Sequence, residues 1–383
     1  MEVQLGSFLS EVNEKTTTNN QYPVLTSSKS GLYLQSEYFN KQVASKDNTG
    51  YKIIKRNQFT YRAMSDTGEF FPNILDCADV GIVSPAYPVF EISDKSVIIP
   101  EYLKCFFKSN SFQHSISYFA QGSTRTSVKF NKMRTIIINI PSIEKQKETV
   151  EIIKKISAII THRRTQLEKL DLLVKARFVE MFGEPLLGTQ KWEFQCVGDV
   201  ADAIDPQPSH RTPPIDENGI PYISIKDCNY KTGTIDFDNA RKVGKNVLEE
   251  HLNRYEIHDG DFIIGKIGTI GNPIFIPARK DYTLSANIVL VQPNTKIVSP
   301  YFLKYSFMSD YVERQFSKAK NSTSQAAFGI QKVRSISIMN PDYDVQMEFE
   351  NFVKQVDKSK ATVQKALDEA QLLFDSLMQE YFG

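Results

Sequence analysis

The sequence predicts an α+β chain in which two pseudo-symmetric α/β domains are separated by two long antiparallel helices. Three observations carry this prediction. Residues 100–183 recur without a gap two hundred positions later, with twenty identities in eighty-four positions where average residue usage gives about five. Each copy ends in a long run of helical apolar spacing with no internal proline or glycine. Ahead of each run stand short alternating or apolar stretches broken by Gly, Pro, Asn and Ser, the signature of strands and turns.

In chain order, QFTYRAM, DVGIVSPAYPVFEI and RTIIINIP read as strands of a first domain, residues 1–141. A short amphipathic helix is expected after Pro100. Pro141 and the candidate N-cap Ser142 then launch a helix over Glu144–Phe182, roughly 55 Å long at ~1.5 Å per residue, so residues 142–183 form the first spacer helix. EPLLGTQKW links to a second domain, residues 184–341, whose strands are IPYISIKD, GDFIIGKIGTIGNPIFIP, SANIVLVQP and RSISIMNP, with a short helix after Pro300. Pro341 and Asp342 launch the second long helix over Asp344–Phe382, within residues 342–383. The first helix carries nine basic and six acidic residues between Glu144 and Gly183, the second four basic and eight acidic between Asp344 and Gly383. Heptad-like apolar spacing with opposite charge favours an antiparallel coiled coil between them.

Composition narrows the function. An apolar content of 41% with 11% aromatic supports two real cores, and a net charge of +1 argues against a uniformly basic nucleic-acid binder while leaving a one-sided basic face open. Cys77, Cys105, Cys196 and Cys228 are far apart and form no metal or disulfide pattern. The N-terminus has no basic, apolar leader and no apolar run is long enough to cross a bilayer, so a cytoplasmic chain without a membrane partner is expected.

One enzyme-like motif fails. Gly260-x4-Gly265-Lys266 has the spacing of a phosphate loop, but Ile267 stands where the magnesium-binding hydroxyl belongs and the surrounding run alternates like a strand. The five histidines, His114, His162, His210, His251 and His258, are scattered, so no metal is expected and no catalytic residue or cofactor is assigned to this chain. DNA recognition asks for Arg and Lys among hydroxyl, amide and Tyr side chains on loops. Candidates in the first domain are Lys55, Arg56, Tyr61 and Arg62 in KRNQFTYR, and Ser123, Thr124, Arg125 and Thr126 in QGSTRTSVK. In the second they are His210 and Arg211 in PSHRTPP, then Lys226, Lys266 and Thr269, and Lys320, Ser322, Ser324 and Gln325 in SKAKNSTSQ. The loops at Gln121 and Asn321 occupy the same place in both repeats yet differ in polar content, as two readers of different sequences would.

With the duplication, the VSPAYPVF run, PSHRTPP followed by NGIPYISIKDCN, GDFIIGKIGTIGNPIFI, and the two endings IPSIEKQKE and NPDYDVQME running to Phe-Gly, the chain resembles the DNA specificity subunits of type I restriction-modification systems. The resemblance implies two target recognition domains, each reading one half of a split site in double-stranded DNA. It also implies helices that dock two adenine-N6 methyltransferase subunits, with restriction subunits joining the full complex. S-adenosylmethionine and the catalytic residues would then belong to the partner. The competing expectation is a protein scaffold that docks partners through the duplicated helices and binds no DNA.

Overall fold

The computed structural model describes the chain except Met1 and residues 39–44, 121–125, 210, 231, 267–270 and 322–328, and it describes no side chains for 319–321. The chain divides into two compact units. The first joins Met1–Thr165 with Gln364–Gly383, and the second is Gln166–Val363. Each long helix is therefore shared, its first part in one unit and its last part in the other.

The two units repeat one frame. In the first, a four-stranded antiparallel sheet has the order Leu9–Val12, Val89–Ile92, Phe59–Thr60, Asn73–Ile74. In the second the order is Ala201–Ile204, Ile288–Pro293, Phe262–Gly265, Ile274–Phe275. Glu2–Gln4 pairs with Ile137–Asn139, and Phe194–Cys196 pairs with Ser337–Met339. The duplication thus extends into the part of each domain where sequence identity at the two-hundred-residue offset has faded. The central strands of the second unit are apolar and buried over Phe262–Ile264 and Ile288–Val291 because both faces are covered there. Phe262, Ile264, Val289 and Val291 join the core on the helix side, while Ile263, Ile288 and Leu290 join a second core with Tyr282 and Leu284.

The short helices begin where expected, at Pro100–Phe106 and Pro300–Phe307, each with proline in its first turn. Ser299 caps the second by accepting from Phe302 N–H at 3.1 Å. Each is followed by a further helix that the sequence reading did not separate, Asn110–Ser117 and Asp310–Asn321. The repeated Gln146 and Gln346, 0% and 1% exposed, are clamps. Gln146 accepts from Ile99 N–H at 2.9 Å and donates to Val97 O at 2.9 Å and Pro141 O at 3.0 Å. Gln346 accepts from Ser299 N–H at 2.9 Å and donates to Pro341 O at 2.8 Å. One buried amide thus ties the start of each long helix to the start of a short one.

The long helices span Ile143–Phe182 and Tyr343–Phe382, one residue longer at the start than the apolar spacing predicts. Ser142 Oγ accepts from Lys145 N–H at 3.3 Å, as its candidate N-cap role requires. The helices pair antiparallel within each unit. Arg177 meets Glu348 at 2.7 Å and Asp171 meets Lys360 at 2.6 Å in the second unit, and Arg164 donates to Gln371 at 3.4 Å in the first. Both helix ends are docked. Phe382 lies 5.0 Å from the Tyr102 ring and 6.3 Å from Phe106, while Phe182 lies 4.8 Å from Phe302 and 5.5 Å from Phe349. Gly183 follows Phe182 in the left-handed region at φ 84°, and a Cβ there would meet Thr189 O at 2.0 Å, so only glycine fits.

Two stability measurements check this frame. Phe182→Ala, which truncates a fully buried ring, should cost about 3–5 kcal/mol in urea denaturation. Gln346→Ala, which strands Ser299 N–H and Pro341 O, should cost about 1–3 kcal/mol. A loss below about 0.5 kcal/mol in either would remove that residue from the frame.

Candidate nucleic-acid interface

The first unit presents its candidate cations around a tight turn. Lys55 ends the strand Lys52–Lys55, and Asn57 at φ 70° reverses the chain into Phe59–Thr60. Lys55 pairs with Glu14 at 2.7 Å, Arg56 pairs with Asp79 at 2.7 Å and donates to Asp76 O at 3.0 Å, and Arg62 lies 3.4 Å from Asp66. All three are exposed, so these pairs are weak and solvated and can yield to phosphate. Tyr61 corrects the expectation. Its ring is fully buried and its hydroxyl donates to Val128 O at 3.0 Å, so it is a core residue and cannot reach DNA. Thr126 lies in Thr126–Ser127, paired with Met64–Ser65, and its hydroxyl donates to Ser65 O at 3.2 Å. Beside this pair opens a cleft of about 320 Å³, lined by Lys52, Met64, Ser127, Lys129 and Phe130 among others.

The second unit gives a different picture. Lys266, read as a DNA contact, is 5% exposed and ion-paired with Asp205, and it also donates to Ala286 O at 3.4 Å. Its charge is spent inside the unit, which corrects that assignment and also removes it from any phosphate loop: Gly265 closes a strand instead of opening a helix. Arg211 is exposed on the loop that leaves Ala201–Ile204, and Lys226 is exposed in the turn Ile225–Asp227. Ser123, Thr124, Arg125, His210, Thr269, Ser322, Ser324 and Gln325 lie outside the described residues, as does the side chain of Lys320.

The equivalence of the two sheets adds residues that motif reading passed over. The loop after Leu9–Val12 is the counterpart of the loop carrying Arg211, and it holds exposed Lys15, Thr17, Thr18, Asn19 and Asn20. Buried Asn48 ties it down, accepting from Asn20 N–H at 2.7 Å and donating to Asn20 Oδ1 at 2.8 Å. The polar run KTTTNNQ was the available signal, but no two-hundred-residue offset linked it to PSHRTPP. In the second unit the missed residues are Gln207 and His251, both buried, with His251 Nε2 against Gln207 Oε1 at 2.5 Å and Nδ1 against Thr283 Oγ1 at 2.5 Å.

A family model described as the type I restriction modification DNA specificity domain matches twice, over residues 6–170 and 189–371. The chain belongs to the type I restriction-modification DNA specificity family. Each specificity-domain match takes in one sheet frame and most of the long helix that follows it. The chain is 20% identical over 256 residues to the type I restriction enzyme EcoBI specificity subunit of Escherichia coli, an alignment covering 65% of this chain and 53% of that protein. It thus spans about half the length of that curated relative. Two solved chains share the fold across 100% of this one. The S subunit of a type I restriction-modification system from M. genitalium is covered to 96% with a TM-score of 0.57 at 12% identity. A chain from a study of complex assembly and conformational transition in the type I system is covered to 97% with a TM-score of 0.55 at 15% identity. Membership assigns the chain a DNA-specificity role, and no described helix is long and apolar enough to cross a membrane.

Two buried groups of this specificity chain give measurable signatures. Burial, with Arg254 assisting and Glu250 opposing, lowers the pKa of His251 below its ordinary value. The unfolded chain then binds more protons below about pH 6.5, so this contribution to stability is complete above that pH and is lost as the pH falls toward the lowered folded value. Urea midpoints across this range should show the acid limb in the natural chain and lack it in His251→Gln. Lys266→Met, which takes the ammonium away from the Asp205 carboxylate, should destabilise by roughly 3–5 kcal/mol in urea denaturation.

Proposed function

We propose that the chain is the non-catalytic subunit that reads a bipartite DNA target, one half-site per unit, and positions adenine-N6 methyltransferase and restriction subunits on it. In this reading residues 1–141 and 184–341 are the target recognition domains, and 142–183 and 342–383 are the spacer helices that the partners grip in the cytoplasm. The observation that carries it is the pairing of one sheet frame with two unlike sets of loops. A duplicated frame supplies equivalent positions for two readers, and dissimilar loops supply different base preferences. Among the described candidates, the exposed cations for DNA are Lys55, Arg56 and Arg62 in the first unit and Arg211 and Lys226 in the second, and the proposal keeps Arg125 and Lys320 as further contacts.

Partner docking is supported by a second repeated feature. Leu172 and Leu173 are 63% and 48% exposed, and their equivalents Leu372 and Leu373 are 73% and 51% exposed. Each unit therefore offers one apolar pair on a long helix, where two copies of one partner would find the same foothold.

Mapping N6-methyladenine in DNA from cells co-expressing this chain with its methyltransferase subunit should return a split motif. A continuous motif, or methylation unchanged when this chain is omitted, would overturn the proposal. With the motif in hand, Arg62→Ala and Arg211→Ala should each weaken binding of the assembled complex and lower the slope of log affinity against log salt by about one where the side chain meets phosphate. Where it meets a base edge, the loss should instead fall on one half-site.

A further inference from the structure

Four side chains converge beneath one loop of the second unit. The loop, of which residues 205–209 and 211–213 are described, leaves the first strand of the four-stranded sheet and carries exposed Arg211. Asp205 is ion-paired with Lys266, and its carbonyl accepts from Arg254 Nη2 at 3.5 Å. Pro213 O accepts from Arg241 Nη2 at 2.6 Å. Between these ends Gln207, 6% exposed, reaches down to His251, 1% exposed, on the helix Lys245–Leu252. The loop is thus held at both ends by cations, buried Lys266 and exposed Arg254 at one and half-buried Arg241 at the other, and in the middle by the buried Gln207–His251 pair.

The hydrogen bonds in the middle can run in one direction only. Gln207 Nε2 lies 2.8 Å from Ser209 Oγ and 3.4 Å from Arg211 O. A carbonyl oxygen only accepts, so the amide nitrogen must face the loop and Oε1 must face His251. That oxygen in turn requires a proton on His251 Nε2. The neutral ring then has a bare Nδ1, an acceptor that faces the Thr283 hydroxyl at 2.5 Å and the Tyr255 hydroxyl at 3.3 Å, the two hydroxyls being 3.0 Å apart. The order is fixed from His251 through Gln207 to the backbone of Arg211.

We propose that His251 and Gln207 are positioning residues for target reading, a buried relay that holds the backbone at Ser209 and Arg211 in the one register that presents Arg211 to its half-site. The proposal rests on the reading of this unit as a DNA-recognition domain. Neither residue touches DNA. Their effect is preorganisation: a loop already in its bound form does not spend binding free energy on ordering, and an Arg held in one place discriminates between base edges where a wandering one does not.

The test uses the full complex with its methyltransferase partner, first with the natural chain to establish the split motif, then with variants on duplexes carrying every single substitution in each half-site. His251→Leu and Gln207→Leu remove the relay, and His251→Gln keeps an amide N–H able to donate to Gln207. The leucine variants should lose about 10- to 100-fold of discrimination at the half-site read by the second unit, with discrimination at the other half-site and complex assembly unchanged. His251→Gln should restore most of it. The double leucine variant should lose no more than either single one, because both break the same relay. Where a leucine variant fails to fold, Gln207→Asn, which keeps the amide and shortens its reach, takes its place and should lose discrimination in the same half-site. Unchanged discrimination in variants of a complex that reads a split motif would overturn the relay while leaving the proposed function intact. Equal loss at both half-sites, in step with lowered melting temperature and without rescue by His251→Gln, would reduce both residues to structural ones. A natural complex that reads no split motif would overturn the function itself, and the relay with it.

Discussion

The docking of a phenylalanine at the end of each long helix is the contact on which the architecture turns. Phe382 closes the core around Tyr102 and Phe106, and Phe182 closes the one around Phe302 and Phe349. A buried Phe side chain contributes about 1.5–3 kcal/mol by transfer alone. Here it also fixes where a 40-residue helix stops. The repeated residues cluster around these two sockets: Leu103 and Leu303, Phe107 and Phe307, and the clamps Gln146 and Gln346 at the helix starts. Cross-helix charge is secondary. Arg177 with Glu348 follows the bulk signs of the two helices, but Asp171 with Lys360 reverses them. Both pairs are partly exposed, where such contacts are worth little.

Above the frame, the two units spend their cations differently. In the first, Lys55, Arg56 and Arg62 lie in solvent beside carboxylates they can leave. In the second, Lys266, Arg254 and Arg241 are turned toward the loop that carries Arg211. The same residue types therefore do different work, one set lying beside surface carboxylates and the other donating to the loop that carries Arg211. A unit that sinks its positive charge into struts gains a fixed loop and gives up non-specific attraction, a trade that favours selectivity over raw affinity.

Much of this was legible in the residues. Periodicity located both long helices to within a residue, because forty positions of apolar spacing leave little freedom, and each stretch that alternation marked holds a strand, but the first strand of each four-stranded sheet, Leu9–Val12 and Ala201–Ile204, lies outside those stretches. The interior of the site was harder. Tyr61 stands among Lys55, Arg56 and Arg62 in sequence and is entirely in the core, because Phe59, Thr60 and Tyr61 are all covered where the strand Phe59–Thr60 runs inside its sheet, and only the fold says that both faces are covered there. Lys266 looked exposed for want of any sequence neighbour that could neutralise it, and its partner Asp205 is remote in the chain. His251 gave no signal at all, since the groups it meets, Gln207 and Thr283, come from two other segments. Long-range partners of single polar residues are what pattern reading cannot supply.

The composition of the two units sets an order of synthesis. Residues of the second unit, Gln166–Val363, have all been made before the last segment of the first, Gln364–Gly383. The domain that leaves the ribosome first is therefore completed last, and until Phe382 arrives the apolar socket at Tyr102 and Phe106 is open. A nascent chain of this kind carries an unfilled hydrophobic groove for most of its translation, a hazard of aggregation that chaperones exist to cover. Loss of Phe382 would leave that groove open for good, so that damage at the end of the second long helix would be felt in the unit built around Tyr102 and Phe106.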